Sequence, residues 1–313
     1  MLNFLPRRLL ELLPTLFLVS VLIFSLQQLL PGDPALVMAG EEGDPAVIEQ
    51  IRRQYRLDQP LPLQYLHWMG NVLQGDLGES MRIKQPVAQL IAEKLPVTLQ
   101  LGTMAMLFAL LIGIPAGIIS AVRKGTAWDT AANVVALAGL STPNFWLGIM
   151  MIFLFSVSLG WLPASGYVSL LEDPLQSLAT TVMPAFVLGS GIAAVLMRHM
   201  RSSLLQAMAA DYVRTARAKG LLEHQVVLRH GLRNALTPVI TLGALEFGTL
   251  LSGAVLTEQV FSVPGLGKLI VDAVFNRDYA VVQGVVLVTA TVYILLNLLA
   301  DVLYVLANPR LRA

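Results

Sequence analysis

The sequence predicts an all-α polytopic membrane protein with six transmembrane helices and a small helical insertion after the first. Its 313 residues are 56% hydrophobic and only 13% charged, whereas soluble domains run at about 45–50% apolar and about 25% charged. So few charges cannot cover a water-facing surface, which makes lipid the natural solvent. The charges also fall in blocks, leaving uncharged stretches close to the ~20 residues that a helix needs to cross a bilayer. Basic residues gather at one end of those stretches.

Residues 1–32 read as the N-terminus and first crossing, because no charge occurs from 12 to 32 and Arg7 and Arg8 precede it. The run is longer than the about 7–15 residues of a signal-peptide core, and Leu30-Pro31-Gly32-Asp33-Pro34 follows in place of a cleavage site, so an uncleaved span is expected. Residues 33–94 are the one long polar section, with nine carboxylates and six Lys or Arg. Val47, Ile48, Ile51 and Tyr55 recur at helical spacing, as do Val87, Leu90, Ile91 and Leu95, with Pro60 and Pro62 separating helices between them. A mostly helical, water-facing subdomain follows, with Gly75-Asp76-Leu77-Gly78 as a tight turn.

Residues 95–313 supply the remaining crossings. The second, Leu95–Val122, ends at Arg123 and Lys124, and Pro115 should kink it. Ala109, Gly113, Gly117 and Ala121 share one face of it and would admit a close neighbouring backbone. The third runs from Thr130 to about Leu159, with a bend at Ser141-Thr142-Pro143 beside Asn144 and a break at Gly160-Trp161-Leu162-Pro163. The fourth, Pro174–Met197, ends at Arg198, His199 and Arg201. Its Gly189-Ser190-Gly191 has the letters of a dinucleotide fingerprint without the preceding strand, so helix packing is the expected role. The fifth, Asn234–Thr257, is interrupted by Glu246; residues 258–278 read as a polar reversal, and Ala280–Ala300 is the sixth.

Six crossings put both termini on one side. That side holds thirteen Lys or Arg, from Arg7 to Arg312, against Lys268 and Arg277 in the short segments opposite. The positive-inside rule then places both termini and the 198–233 loop in the cytoplasm and the 33–94 section outside. A net charge of +1 offers no general attraction for nucleic acid.

Chemistry is sparse. There is no cysteine, which excludes thiol catalysis and thiolate metal sites, and the four histidines form no HExxH pair. Phe261-Ser262-Val263-Pro264-Gly265-Leu266-Gly267-Lys268 has Ser262 where a nucleotide loop needs its first glycine and Leu269 where it needs Ser or Thr. What remains is passage, sensing or scaffolding. Glu246, near the middle of a crossing, is a candidate for a translocation path together with Ser141 and Asn144, since an intramembrane carboxylate is functional by default; a structural hydrogen bond, or simple protonation inside the bundle, is the other reading. A self-sufficient proton-coupled transporter using Glu246 is the competing function.

Within the basic loop, Asp211-Tyr212-Val213-Arg214-Thr215-Ala216-Arg217-Ala218-Lys219-Gly220 predicts a short exposed helix. Asp211 is placed to cap it and Gly220 to end it in the left-handed conformation, and Arg214, Arg217 and Lys219 crowd its carbonyl end. A second short helix is expected around Leu222 to His230.

This segment, followed by Arg229-His230-Gly231-Leu232-Arg233-Asn234-Ala235-Leu236-Thr237-Pro238, resembles the cytoplasmic loop of the peptide/nickel family of ATP-binding-cassette importer permeases. So do Leu30 to Pro34, Gly75 to Gly78, Phe261 to Gly267, Arg277-Asp278-Tyr279 and Asn308-Pro309-Arg310, in order and nearly end to end. The long section after the first span is similar to the first of the two permeases of such systems, with dipeptide and glutathione permeases nearest. The resemblance implies a type I importer permease fold in a bacterial inner membrane. It also implies a subunit without catalysis or cofactor of its own: ATP and magnesium belong to two cytoplasmic ATPases, a second permease completes the pore, and an external binding protein delivers the ligand. Dipeptides or oligopeptides are the expected cargo, with glutathione or a nickel chelate as alternatives. By position the coupling helix that docks on the ATPase is Asp211 to Gly220. The wider importer pattern opens this helix with Glu-Ala-Ala six residues before its glycine; Gly220 matches, while Arg214 and Thr215 stand at the Glu and the first Ala.

Overall fold

The computed structural model describes residues 4–29, 35–36, 44–54 and 56–307. The Leu30–Pro34 and Asn308–Arg310 segments, Tyr55, Arg310 and Arg312 lie outside the described residues. Helices α1 (Phe4–Leu29), α2 (Pro45–Gln54), α3 (Leu61–Leu73), α4 (Val87–Val122), α5 (Ala127–Ser141) and α6 (Asn144–Met151) come first. They are followed by α7 (Pro174–Met208), α8 (Asp211–Ala218), α9 (Leu232–Val260), α10 (Leu266–Phe275) and α11 (Tyr279–Ala307). Among the described residues the only β pairing is an isolated bridge between Glu79 and Pro86.

By length and composition α4, α7 and α11 are each able to cross a membrane, and two bent pairs would raise the number to five. One pair is α5 with Asn144–Ser158, bent by 102°; the other joins Glu223–Leu250 to Gly253–Val260, bent by 55°. The expected bend at Ser141-Thr142-Pro143 is therefore real and sharp: Thr142 is extended, and Pro143, with no N–H to give, starts α6. In the first predicted crossing the apolar helix covers Leu10–Leu26.

Several boundaries differ from the sequence reading. Helix α4 begins at Val87, so the Val87-Leu90-Ile91 repeat belongs to the same helix as the second crossing. Helix α7 continues to Met208, past Arg198 and Arg201, because loss of hydrophobicity marks where lipid ends rather than where a helix must stop. No separate second loop helix forms: Glu223–Gln225 passes through the π-wound Val226–Gly231 directly into α9. The expected reversal at 258–278 contains helix α10, three turns long, with Leu266, Gly267 and Ala273 buried.

The chain divides into two compact units, one of residues 1–96 and 265–292, the other of 97–264 and 293–313. In the first, Val87, Leu90 and Ile91 pack with Leu266, Ala273, Val281 and Val285. Asp278, 4% exposed, accepts hydrogen bonds there from the Ser80 hydroxyl and from the Met81 amide at 3.3 Å, pinning the 80–82 turn.

In the second unit α7 is the central element. Leu188, Ile192, Leu196, Met200 and Leu204 pack against Leu101, Ala105 and Ala109 and against Ala235, Val239, Leu250 and Ala254 of α9. The small-residue face of α4 allows this: a Cβ at Gly113 would stand 2.5 Å from the Ala193 carbonyl oxygen, and one at Gly117 2.6 Å from that of Met197. Gly189 meets the Ala105 carbonyl in the same way, so it serves helix contact, as expected.

Candidate functional site

Helix α8 is eight residues long, about 12 Å at 1.5 Å per residue. The two-residue link Ala209–Ala210 joins it to α7. Only Val213 and Ala216, one turn apart, are buried; they pack with Val226 and against Met208. Asp211, Tyr212, Arg214, Thr215, Arg217, Ala218, Lys219 and Gly220 are exposed. The helix is thus fastened along one narrow stripe and open elsewhere. Ala216, expected to face a partner, is part of that stripe.

Asp211 does not cap the helix. Ala210 holds the cap position, and no side-chain cap bond is made. Asp211 is the first helical residue, where its charge complements the positive end of the helix dipole, and it lies 3.2 Å from Arg214. Both groups are highly exposed, and a pair in such a setting contributes little to stability. Gly220 does end the helix: its φ is +78°, and its amide donates to the Arg217 carbonyl at 2.9 Å.

Two polar contacts fix the corner beyond the apolar stripe. Arg217 forms a fork with Glu223, Nη2 to Oε1 at 2.7 Å and Nε to Oε2 at 3.1 Å, closing the turn around Gly220. These bonds raise the Arg217 guanidinium above its ordinary pKa. The Asn234 amide donates to the Tyr212 hydroxyl at 3.0 Å, tying α8 to the first turn of α9. A Cβ at Gly231 would stand 2.7 Å from the Met208 sulfur, so the chain leaving α8 passes close to the end of α7. Movement of α8 therefore reaches both α7 and α9.

A second polar knot lies seven residues before Met208 on α7. Arg201 donates to Asp129 through Nε and Nη2, both at 2.9 Å. Ser120 gives Asp129 a hydroxyl at 2.6 Å, the Gly125 amide binds at 2.9 Å and Asn133 at 2.8 Å. Asp129 is 6% exposed. One carboxylate thereby joins the end of α4, the start of α5 and the last third of α7. The sequence reading counted Arg201 only as a charge on one side and did not single out Asp129, although it is the lone carboxylate between Glu93 and Glu172.

The three residues assigned to a path are not drawn together by hydrogen bonds among the described residues. Ser141 and Asn144 flank the α5–α6 bend. Glu246 stays within its own helix, its carboxylate accepting from Thr249 at 3.1 Å. The fully buried carboxylate of this unit is instead Glu258, 0% exposed, which accepts from Thr98 at 2.7 Å. Its position at the foot of α9, beyond the expected end of the fifth crossing, hid it in the sequence.

The family described as "Binding-protein-dependent transport system inner membrane component" matches residues 113–313, and its N-terminal companion matches residues 1–102. The chain belongs to this family. This permease is 47% identical over 312 residues to the glutathione transport system permease protein GsiC of Escherichia coli O6:H1, covering 100% of this chain and 99% of that one. GsiC of Pectobacterium atrosepticum is similar to the same degree and over the same extent. Among solved structures, the permease resembles the MetNI methionine ABC transporter in inward-facing form, with a TM-score of 0.57 at 22% identity over 70% of this chain and 97% of that one. An amino acid ABC transporter with histidines gives 0.52 at 15% identity over 71% and 94%. At such identities the likeness is one of fold. The permease is thus an inner-membrane subunit of an ABC importer, with the family's membrane role rather than a catalytic one.

Proposed function

We propose that this permease is the first of two that together form the channel of an ATP-driven importer for short peptides, with glutathione the leading member of that class. It would cross the membrane six times, with both termini and α8 in the cytoplasm and the 33–94 section, which holds α2 and α3, outside. Two ATPases holding ATP and magnesium would sit beneath the permease pair, and an external binding protein would present the cargo. The end-to-end identity of 47% to glutathione permeases carries the substrate reading.

The anchoring of α8 carries the mechanism. A rod fixed by Val213, Ala216, the Arg217–Glu223 fork and the Tyr212–Asn234 bond transmits a push without bending, while its remaining side chains are free to meet a groove on the ATPase. Closure of the ATPases would move α8 as a body and tilt α7 and α9, alternating access to the channel.

The test is uptake into proteoliposomes holding the complete importer and its binding protein, with glutathione, a dipeptide and a nickel chelate as competing cargoes. ATP-dependent glutathione or dipeptide uptake is expected. Uptake of the chelate alone, or uptake by the isolated chain driven by a proton gradient, would overturn the reading.

A further inference from the structure

The first unit holds a cavity of about 810 Å³ that is partly open to solvent, within the range of about 300–1,000 Å³ typical of small-molecule sites. Its wall is built from regular elements: Phe24 and Gln28 lie one turn apart on α1, and Tyr279 and Gln283 one turn apart at the start of α11. Trp68 on α3 adds an apolar surface beside Phe24, with ring centroids 6.0 Å apart.

Two residues of this wall carry buried polar atoms that have no hydrogen-bond partner among the described residues, the Tyr279 hydroxyl and Gln59 Oε1. Tyr279 is 2% exposed. A buried hydroxyl left unpaired is costly, and buried polar atoms are almost always paired, so a group in the cavity that reaches these atoms would supply the missing bonds. The Tyr279 hydroxyl can donate to a carboxylate or carbonyl. Gln59 Oε1 can only accept, which calls for an N–H.

The lining charges are of both signs. Arg52 comes from α2, where it also lies 3.6 Å from Glu49, Arg56 from the segment after α2, and Asp76 and Glu79 from the turn after α3. A phosphate or a simple cation would be attracted by one pair and repelled by the other. A ligand bearing both an ammonium and a carboxylate is attracted by charges of both signs at once, and its peptide N–H and C=O groups match the unpaired acceptor and donor.

We propose that this cavity, lined in part by the ends of α1 and α11, is a binding site for a short zwitterionic peptide and does not involve the residues of helix α8. The site holds whether or not such peptides are the transported cargo, because nothing in it depends on ATP or on the binding protein.

The test uses the complete importer in lipid nanodiscs, without ATP or binding protein, and equilibrium binding of radiolabelled triglycine. Saturable binding of one triglycine per permease is expected. Tyr279→Phe, which removes only the hydroxyl, should weaken it about fivefold, and blocking both peptide termini by acetylation and amidation should weaken it about tenfold or more. No saturable binding, equal binding by wild type and Tyr279→Phe, or equal binding of the blocked peptide would each overturn the proposal. Should Tyr279→Phe fail to assemble, Gln59→Leu provides the same comparison. Failure of this binding with transport intact would leave the proposed importer function standing, and the reverse also holds.

Discussion

The Asp129–Arg201 knot and the α8 corner both attach to α7, yet they use their polar groups in opposite ways. Around Asp129 the carboxylate is almost buried and accepts from Arg201, Ser120, Asn133 and the Gly125 amide. Around α8 the ion pairs are exposed, and the hold on the fold comes from two small apolar side chains and the Tyr212 and Arg217 bonds. A saturated internal network locks helices to each other. A corner with most of its side chains facing outward holds its shape while leaving those groups for another molecule.

Substitutions should separate the two. Arg201→Leu strands the Asp129 carboxylate among buried neighbours and should have the largest effect, loss of most folded protein after detergent extraction, since removing one member of a buried pair leaves an uncompensated charge. Gly113→Leu drives a side chain into the Ala193 backbone and should cost about 1–3 kcal/mol by overpacking, read as a lower midpoint of thermal unfolding. Val213→Ala empties part of the α8 anchor and should cost about 1–2 kcal/mol, with a larger proportional loss in cargo-stimulated ATP hydrolysis. At the small end, Arg214→Ala should leave thermal stability unchanged, because its pair with Asp211 is solvated, while weakening association of the ATPases measured by co-purification. A stability loss in Arg214→Ala as large as that in Arg201→Leu would erase the contrast.

Much of this was legible in the sequence because membrane helices are written in long, simple terms. Uncharged runs placed α4, α7 and α11, small residues at every fourth position marked the face of α4 that a neighbour approaches, which the structure shows to be α7, and Pro143 marked the bend. Helix ends were less legible. Charge tells where lipid stops, but α7 runs on to Met208 because nothing before Ala209 breaks it, and α4 starts early because the outer repeat and the crossing share one phase. For the site, the sequence held the α8 helix and its Gly220 terminus but not the division of labour within it. That Val213 and Ala216 anchor while Asp211 leaves the cap to Ala210 depends on what lies beneath, namely Val226 and Met208. Asp129 and Glu258 were hidden for the same reason: their partners Arg201 and Thr98 are distant along the chain.

The proposed docking of α8 on the ATPases can be tested directly. The chain has no cysteine, so Ala218→Cys introduces a single thiol on the exposed side of the helix, and its labelling by a membrane-impermeant maleimide can be timed in inverted membrane vesicles. The account predicts fast labelling of the permease pair alone and strong protection once the ATPases are bound, with Leu171→Cys, which the proposed topology places on the lumenal side of these vesicles, unlabelled in either case. Equal labelling rates at Ala218→Cys with and without the ATPases would contradict it.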